Sequence, residues 1–238
     1  YLRSAQHRAA LCGVAVEVTS LPETVTRAAL LSAIDGVNRD ASVHGCLLLR
    51  PLPAHLRDAE DAICNRLLPE KDVDGMTDVS AAGVYLGRSA GFAPCTAVAV
   101  SVLLDHYGID CTGKRAVVIG RSPVVGRPAA MLLLERNATV TVCHTKTRAL
   151  SDVTREADII VSAAGAAGCL TAAHVRPGQT IIDVSANWDA AKNTIVGDAD
   201  FDAAASIVDA ITPVPGGVGA VTSAVLMRHV VQAAERTL

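Results

Sequence analysis

The chain has 238 residues, half of them hydrophobic, and a formal net charge of −3. So near-neutral a chain argues against a nucleic-acid partner, and no apolar run reaches the length of a membrane span. Aromatic residues make up only 3%, so the core must be built of Ala, Val, Leu and Ile, which suits parallel strands covered by helices.

The length fits one large domain or two small ones. Seven scattered cysteines form no C-x-x-C pair, the pattern of reduced thiols in a cytoplasmic protein with no disulfide and no metal site. The first residues do not resemble a signal peptide, and a start at Tyr1 in place of Met suggests that residues precede it. In chain order, residues 1–11 form a candidate amphipathic helix stopped at Gly13, and 14–18 a strand. Thr26 caps a helix over 27–37, 46–49 is a buried strand broken by Pro51-Leu52-Pro53, and 59–67 is a helix. Lys71-Asp72-Val73-Asp74-Gly75 is a charged turn, and Pro94-Cys95-Thr96 opens a helix to about Tyr107. This alternation predicts a parallel sheet in the first ninety residues.

The stretch Lys114 to Pro128 organises the rest of the chain. Ala116 to Ile119 is a short apolar run rich in β-branched residues, hence a buried strand. A turn with glycines at Gly120 and Gly126 comes next, and Pro128 stands where a helix begins, with 129–136 continuing it. Strand, glycine turn and helix make the first half of a nucleotide-binding βαβ unit, whose turn amides and helix N-terminus would face a phosphate. Further strands are expected at 139–143, 159–163, 180–184 and 207–208, with short helices between. Thr212-Pro213-Val214-Pro215-Gly216-Gly217-Val218-Gly219 is an ordered loop that brings backbone close to a ligand, and 224–236 a closing helix.

An acidic residue at the end of the second strand of a dinucleotide fold usually holds the ribose hydroxyls of NAD. Here that strand runs into His144-Thr145-Lys146, and Arg121 sits in the glycine turn. Cations and hydroxyls suit a 2′-phosphate, so NADP is the expected cofactor.

Five stretches together resemble the methylenetetrahydrofolate dehydrogenase/cyclohydrolase family. They are Leu21-Pro22-Glu23-Thr24, Lys71 to Gly75, Pro94-Cys95-Thr96, the Gly120-Arg121-Ser122 and Val125-Gly126-Arg127-Pro128 pair, and Thr212 to Gly219. The resemblance implies an α/β fold in two domains with a cleft between them. Residues 1–96 with 221–238 would form the folate side, and 97–220 a Rossmann-type NADP-binding domain. By the same likeness the chain is short at its front by about one strand and one helix, and it forms a homodimer through the nucleotide domain. The family oxidises 5,10-methylenetetrahydrofolate with NADP and then hydrolyses the methenyl product. Carried over by position, the resemblance assigns cofactor binding to Gly120, Arg121, Ser122, Val125, Gly126, His144, Thr145, Lys146 and Thr212. It gives substrate binding to Tyr1, Leu49, Asp74, Pro215, Gly216 and Gly217. Tyr1, stacking on the pterin, and Asp74, on its polar edge, are the candidate catalytic positions.

The family's hydrolytic lysine and its supporting glutamine fall on Ala5 and Leu49. Other departures are Ala97, Ala220-Val221 and Ser185, and all are expected to cluster on the folate side. Hydride transfer at a carbon–nitrogen centre is therefore the expected activity, with the hydrolytic step in doubt. The alternatives are an ordinary bifunctional enzyme, an NADP-dependent imine reductase, and a non-catalytic NADP- or folate-binding protein.

Overall fold

The computed structural model describes residues 2–191 and 193–237. The chain divides into two units, Tyr1–Cys95 with Ser223–Leu238, and Thr96–Thr222. Among the described residues no helix is long and apolar enough to cross a membrane.

The first unit is helical: α1 (Leu2–Cys12), α2 (Arg27–Arg39), α3 (Glu60–Cys64) and α4 (Asp78–Leu86), with a 3-10 turn over Ala54–Ala59 leading into α3. Thr26 caps α2 as the sequence predicts, its hydroxyl accepting from Ala29 N at 3.2 Å. Leu30 and Ile34, one turn apart, bury the inner face of α2 against Leu52, Leu56, Ile63 and Leu67. At the other end of α2 the Lys71 ammonium donates to the carbonyls of Val37 (2.7 Å), Asn38 (3.2 Å) and Asp40 (2.6 Å). Those acceptors include carbonyls that the end of the helix leaves open, and a cation there also suits the helix dipole.

Four expectations fail in this unit, the first being the parallel sheet foreseen in its first ninety residues, since no strand forms there among the described residues. Residues 14–18 and 46–49 carry no regular secondary structure, and no strand ladder forms on either among the described residues. Val14 N closes α1 on Ala9 O (2.9 Å), and Cys46 N reaches Lys71 O (2.8 Å). The helix expected over 59–67 stops at Cys64, because Arg66 N and Leu67 N bond three residues back, to Ile63 and Cys64. α4 was not foreseen, although Thr77 caps its start and Gly87, with φ +61°, stops its end.

In chain order the second unit continues with α5 (Cys95–His106), β1 (Arg115–Ile119), α6 (Gly126–Glu135), β2 (Thr139–Cys143) and α7 (Leu150–Arg155). Then come β3 (Ile159–Ser162), β4 (Thr180–Asp183), β5 (Asn187–Asp189), β6 (Thr194–Val196), α8 (Phe201–Ala205) and β7 (Ala210–Ile211). α9 (Val218–Glu235) starts in this unit and passes into the first at Ser223. A 3-10 turn spans Ala172–His174. The main sheet has the order β2-β1-β3-β4-β7, with every pairing parallel. β3 is buried at all four residues, as a central parallel strand requires.

The last strand lies at Ala210–Ile211, not at 207–208, because Ile207 N and Val208 N fold back on Ala204 O to end α8. α9 begins at Val218, directly behind the glycine–proline loop, earlier than the expected 224. The antiparallel hairpin of β5 and β6 was also unforeseen.

Candidate functional site

The sheet order places a crossover between β1 and β3: the chain leaves β1 for β2 on one side, then returns to β3 on the other. Ligands of doubly wound sheets sit at the carboxyl ends of the strands flanking such a reversal. Register brings Ile119 level with Cys143 and Ser162, and Ser162 level with Asp183. Gly120, His144, Ala163 and Val184, one residue on, therefore share one edge.

Gly120 has φ +115°, and a Cβ on it would collide with the Ala163 carbonyl. A Cβ on Gly126 would collide with the Gly120 carbonyl. The turn is folded so tightly that both glycines are required, which explains their spacing without the common three-glycine pattern.

Ser122 shapes the rest of the turn. Its hydroxyl accepts from Val125 N (3.2 Å) and Gly126 N (3.3 Å), and its carbonyl accepts from Arg127 N (3.1 Å). The amides expected to point at a phosphate are thus largely taken by Ser122, which corrects the simple anion-cradle picture. With two amides on its oxygen, the hydroxyl keeps its own proton to donate. Arg121 is exposed beside it.

After β2, His144 N donates to Thr147 Oγ1 (2.9 Å), and Lys146 N donates to His144 Nδ1 (3.1 Å). The second bond makes Nδ1 an acceptor, so the ring carries its proton on Nε2 when neutral. Thr145 and Lys146 are exposed. The Thr212 hydroxyl is turned to β4, accepting from Asp183 N at 2.8 Å. Pro215 and Gly216 lie exposed in the turn before α9, while Gly217 is buried, with no room for a Cβ beside Pro213 O. Ala97, Ser185 and Ala220-Val221, grouped by sequence with the folate-side changes, all belong to the second unit, Ser185 at the end of β4.

In the first unit Asp74 lies in a turn built around its neighbour Asp72. The fully buried Asp72 carboxyl accepts from Met76 N (2.9 Å), Thr77 N (2.8 Å), Thr77 Oγ1 (2.7 Å) and Ser80 Oγ (2.6 Å). Gly75, at φ +69°, lies so close to Pro94 N and Phe92 O that only glycine fits. Cys95 is buried, and burial, with the nearby Asp74 carboxylate adding to it, pushes its thiol far above the ordinary range. Such a thiol is no nucleophile.

Ala5 is buried on α1 at 6% exposure, whereas Leu49 is 43% exposed. Arg50 pairs with Glu60 at 3.4 Å, Arg8 Nε reaches Ser223 Oγ at 3.4 Å, Lys71 is held by its three carbonyls, and Arg3 is exposed on α1. His7 is exposed, away from the buried face of Ala5. Tyr1 lies outside the described residues.

Sequence reasoning missed the buried carboxyls Asp72, Asp183 and Asp198, and the buried His229, whose Nδ1 stands 2.9 Å from Val73 O. Asp183 accepts from Ser185 N (3.2 Å), Asp198 N (3.1 Å) and Ala199 N (2.7 Å). Burial nevertheless raises its pKa above the usual carboxylate value. A turn residue three to five places after an Asp was the only local signal, and Asp72 with Thr77 carries it.

Residues 94–238 match the family model for the tetrahydrofolate dehydrogenase/cyclohydrolase NAD(P)-binding domain, and residues 1–74 match that for its catalytic domain. The chain is 44% identical over 233 residues to the bifunctional protein FolD of Alkaliphilus oremlandii, covering 98% of this chain and 81% of that protein. It is 48% identical over 225 residues to FolD of Carboxydothermus hydrogenoformans, covering 94% and 77%. The crystal structure of the bifunctional FolD enzyme from Campylobacter jejuni superposes with a TM-score of 0.96 at 42% identity, over 100% of this chain and 83% of that one. The Trypanosoma brucei enzyme, complexed with NADP cofactor and inhibitor, gives 0.93 at 36% identity, over 99% and 82%.

Proposed function

The chain belongs to the tetrahydrofolate dehydrogenase/cyclohydrolase family, and on that premise we propose that it is an NADP-dependent oxidoreductase acting on 5,10-methylenetetrahydrofolate or a related carbon–nitrogen substrate. The observation that carries this reading is the glycine turn at the β1–β3 crossover, whose two missing Cβ atoms let the backbone fold tight against the Ala163 carbonyl at the carboxyl ends of the strands, where doubly wound sheets take their ligands. NADP, when bound, supplies the hydride acceptor. Gly120, Val125 and Gly126, whose amides are engaged within the protein, shape the turn it lies against, Ser122 offers its hydroxyl proton, and His144, Thr145 and Thr212 complete the edge. Arg121 and Lys146 are the cations for the 2′-phosphate.

On the substrate side Asp74 binds the polar edge of the pterin, and Tyr1 stacks on it. Leu49 is the further substrate contact assigned on the first unit, and Pro215, Gly216 and Gly217 are those assigned on the second. Hydride loss leaves a cation shared between two nitrogens, so the protein's main task is to hold the carbon in place and keep water away. Hydrolysis asks for more, because water must be activated and a proton moved. A methyl group at Ala5 and an isobutyl group at Leu49 can move no proton. Arg50, Arg8 and Lys71 are committed to other partners, and Arg3 is exposed on α1. The hydrolytic step is therefore weak or absent.

Two measurements test this. Incubated with methylenetetrahydrofolate and NADP, the protein should form NADPH while the methenyl product accumulates. Loss of the methenyl absorbance faster than in buffer alone would restore the bifunctional reading. Arg121→Ala should weaken NADP binding far more than NAD binding, and an equal loss for both would refute the phosphate assignment. The seven cysteines, all unpaired, fit a cytoplasmic setting. A homodimer through the nucleotide unit fits the outer strand β2, which leaves Thr141 and Val142 exposed. Light scattering at micromolar concentration decides that point.

A further inference from the structure

One buried carboxyl at the sheet's ligand edge has no part in the reaction so far. Asp198 is fully buried and accepts five hydrogen bonds. Ser162 Oγ (3.0 Å), Ala164 N (2.7 Å) and Ser185 Oγ (2.8 Å) donate to Oδ2, and Ala166 N (2.8 Å) and Asn187 Nδ2 (3.1 Å) donate to Oδ1. The donors come from the end of β3, the loop after it, the end of β4 and the start of the hairpin. Ser185 Oγ also accepts from Gly165 N at 3.1 Å. Three consecutive amides, those of Ala164, Gly165 and Ala166, thus hang from Asp198, directly or through a hydroxyl that Asp198 itself holds.

That loop reads Ala163-Ala164-Gly165-Ala166-Ala167-Gly168 and has no side chain with which to fasten itself. A sequence of this kind is costly to order without outside anchors. Its position matters, because the Ala163 carbonyl is the atom that forbids a Cβ on Gly120. The anchored loop and the glycine turn are the two walls of the crossover crevice. Asp198 itself is held in register by Asp183, which accepts its amide, and Gly197 lies so close to the Asp183 carboxyl that a Cβ would strike it.

Resting on the NADP reading, we infer that Asp198 and Ser185 are positioning residues for the dinucleotide: they act through the backbone of Ala164–Ala166 to hold the wall opposite Gly120. Neither touches the cofactor in this assignment. The Ser185 hydroxyl gives this chain a peg for the Gly165 amide that a residue without a hydroxyl there would not supply.

The test is NADP affinity, measured by calorimetry without folate, beside the folate KM and the unfolding temperature of the unliganded protein. Ser185→Ala removes two hydrogen bonds at a partly exposed position and leaves four donors on Asp198. It should raise the NADP Kd about fivefold, the worth of roughly one hydrogen bond, while the folate KM and the unliganded unfolding temperature barely move. Asp198→Asn turns an amide group toward fixed N–H donors and should weaken NADP more strongly. If that variant does not fold, Ser185→Ala decides alone. An unchanged NADP Kd in Ser185→Ala overturns the inference, and so does a parallel rise in the folate KM. A wild-type protein that binds no NADP would instead sink the cofactor reading, and this inference with it.

Discussion

Replacing Asp72 by alanine should loosen the turn that carries Asp74. Four groups donate to that carboxyl: the amides of Met76 and Thr77 and the hydroxyls of Thr77 and Ser80. The hydroxyls have an alternative, since they already lie 3.1 Å apart and can bond one another. The amides have none, because α4 begins at Asp78 and its first turn runs forward from them. The Thr77 amide is buried and the Met76 amide only partly so. Stranding a buried donor costs about 1–3 kcal/mol, so the two amides with the weakened hydroxyls should cost about 3 kcal/mol in all. Asp72→Asn keeps the shape. Three donors converge on Oδ2 and one on Oδ1, so the new NH2 group can turn toward the single-donor side, where it opposes only Met76 N. That variant should lose only about 1 kcal/mol. Urea unfolding of the full chain, followed by circular dichroism at neutral pH, measures both. An asparagine variant as unstable as the alanine variant would refute the argument that the two oxygens are unequally loaded.

Gly120→Ala should leave the sheet folded but abolish NADP binding, because a side chain at φ +115° is strained by about 1–3 kcal/mol and meets the opposite wall. Calorimetry beside circular dichroism checks this, and retained binding would show that the crevice has slack. Lys71→Met keeps the aliphatic stem but removes three bonds to the end of α2, a loss of about 1–3 kcal/mol read from the urea midpoint. Burial holds His229 below its ordinary value against the pull of the Val73 carbonyl, and Arg228 and Arg236 lower it further. The Cys95 thiol and the Phe92 ring also face it, and Asp72 acts weakly the other way. The unfolded chain therefore binds the proton more readily, so stability is full above the ordinary histidine pKa of 6.5 and declines as pH falls below it. Asp183, raised by burial, has the opposite sign at lower pH. His229→Asn should flatten the decline in urea midpoint between pH 7 and pH 5, and unchanged slopes would show that this histidine is not its source.

The nucleotide unit was legible because its signals are local. A β-branched run at Ala116–Ile119, a glycine turn and a proline in the first turn of α6 suffice to place β1 and its helix. The next three strands are short apolar runs of the same kind. The segments at 14–18 and 46–49 carry a similar apolar signal, but a ladder needs a neighbour, and pairing is not written in the strand itself. Ile207 and Val208 fail for a related reason: their apolar character is spent on closing α8 before the chain reaches the sheet. The places given to Ala5 and Leu49 rest on the resemblance by position alone, with no local signal behind them. The buried carboxyls were not, because nothing near Asp198 distinguishes it from the exposed Asp200 two residues on. Its partners come from four distant places.

The single tryptophan, Trp188, sits on the β5–β6 hairpin across from Ile195, 65% exposed, immediately after the Asn187 that donates to Asp198. Its indole emits from water even in the native protein, so denaturation will barely shift its fluorescence maximum. Whatever tightens or covers the hairpin will change its intensity at once. Intrinsic fluorescence in this molecule is a gauge of one rim of the nucleotide unit and is blind to the melting of its interior.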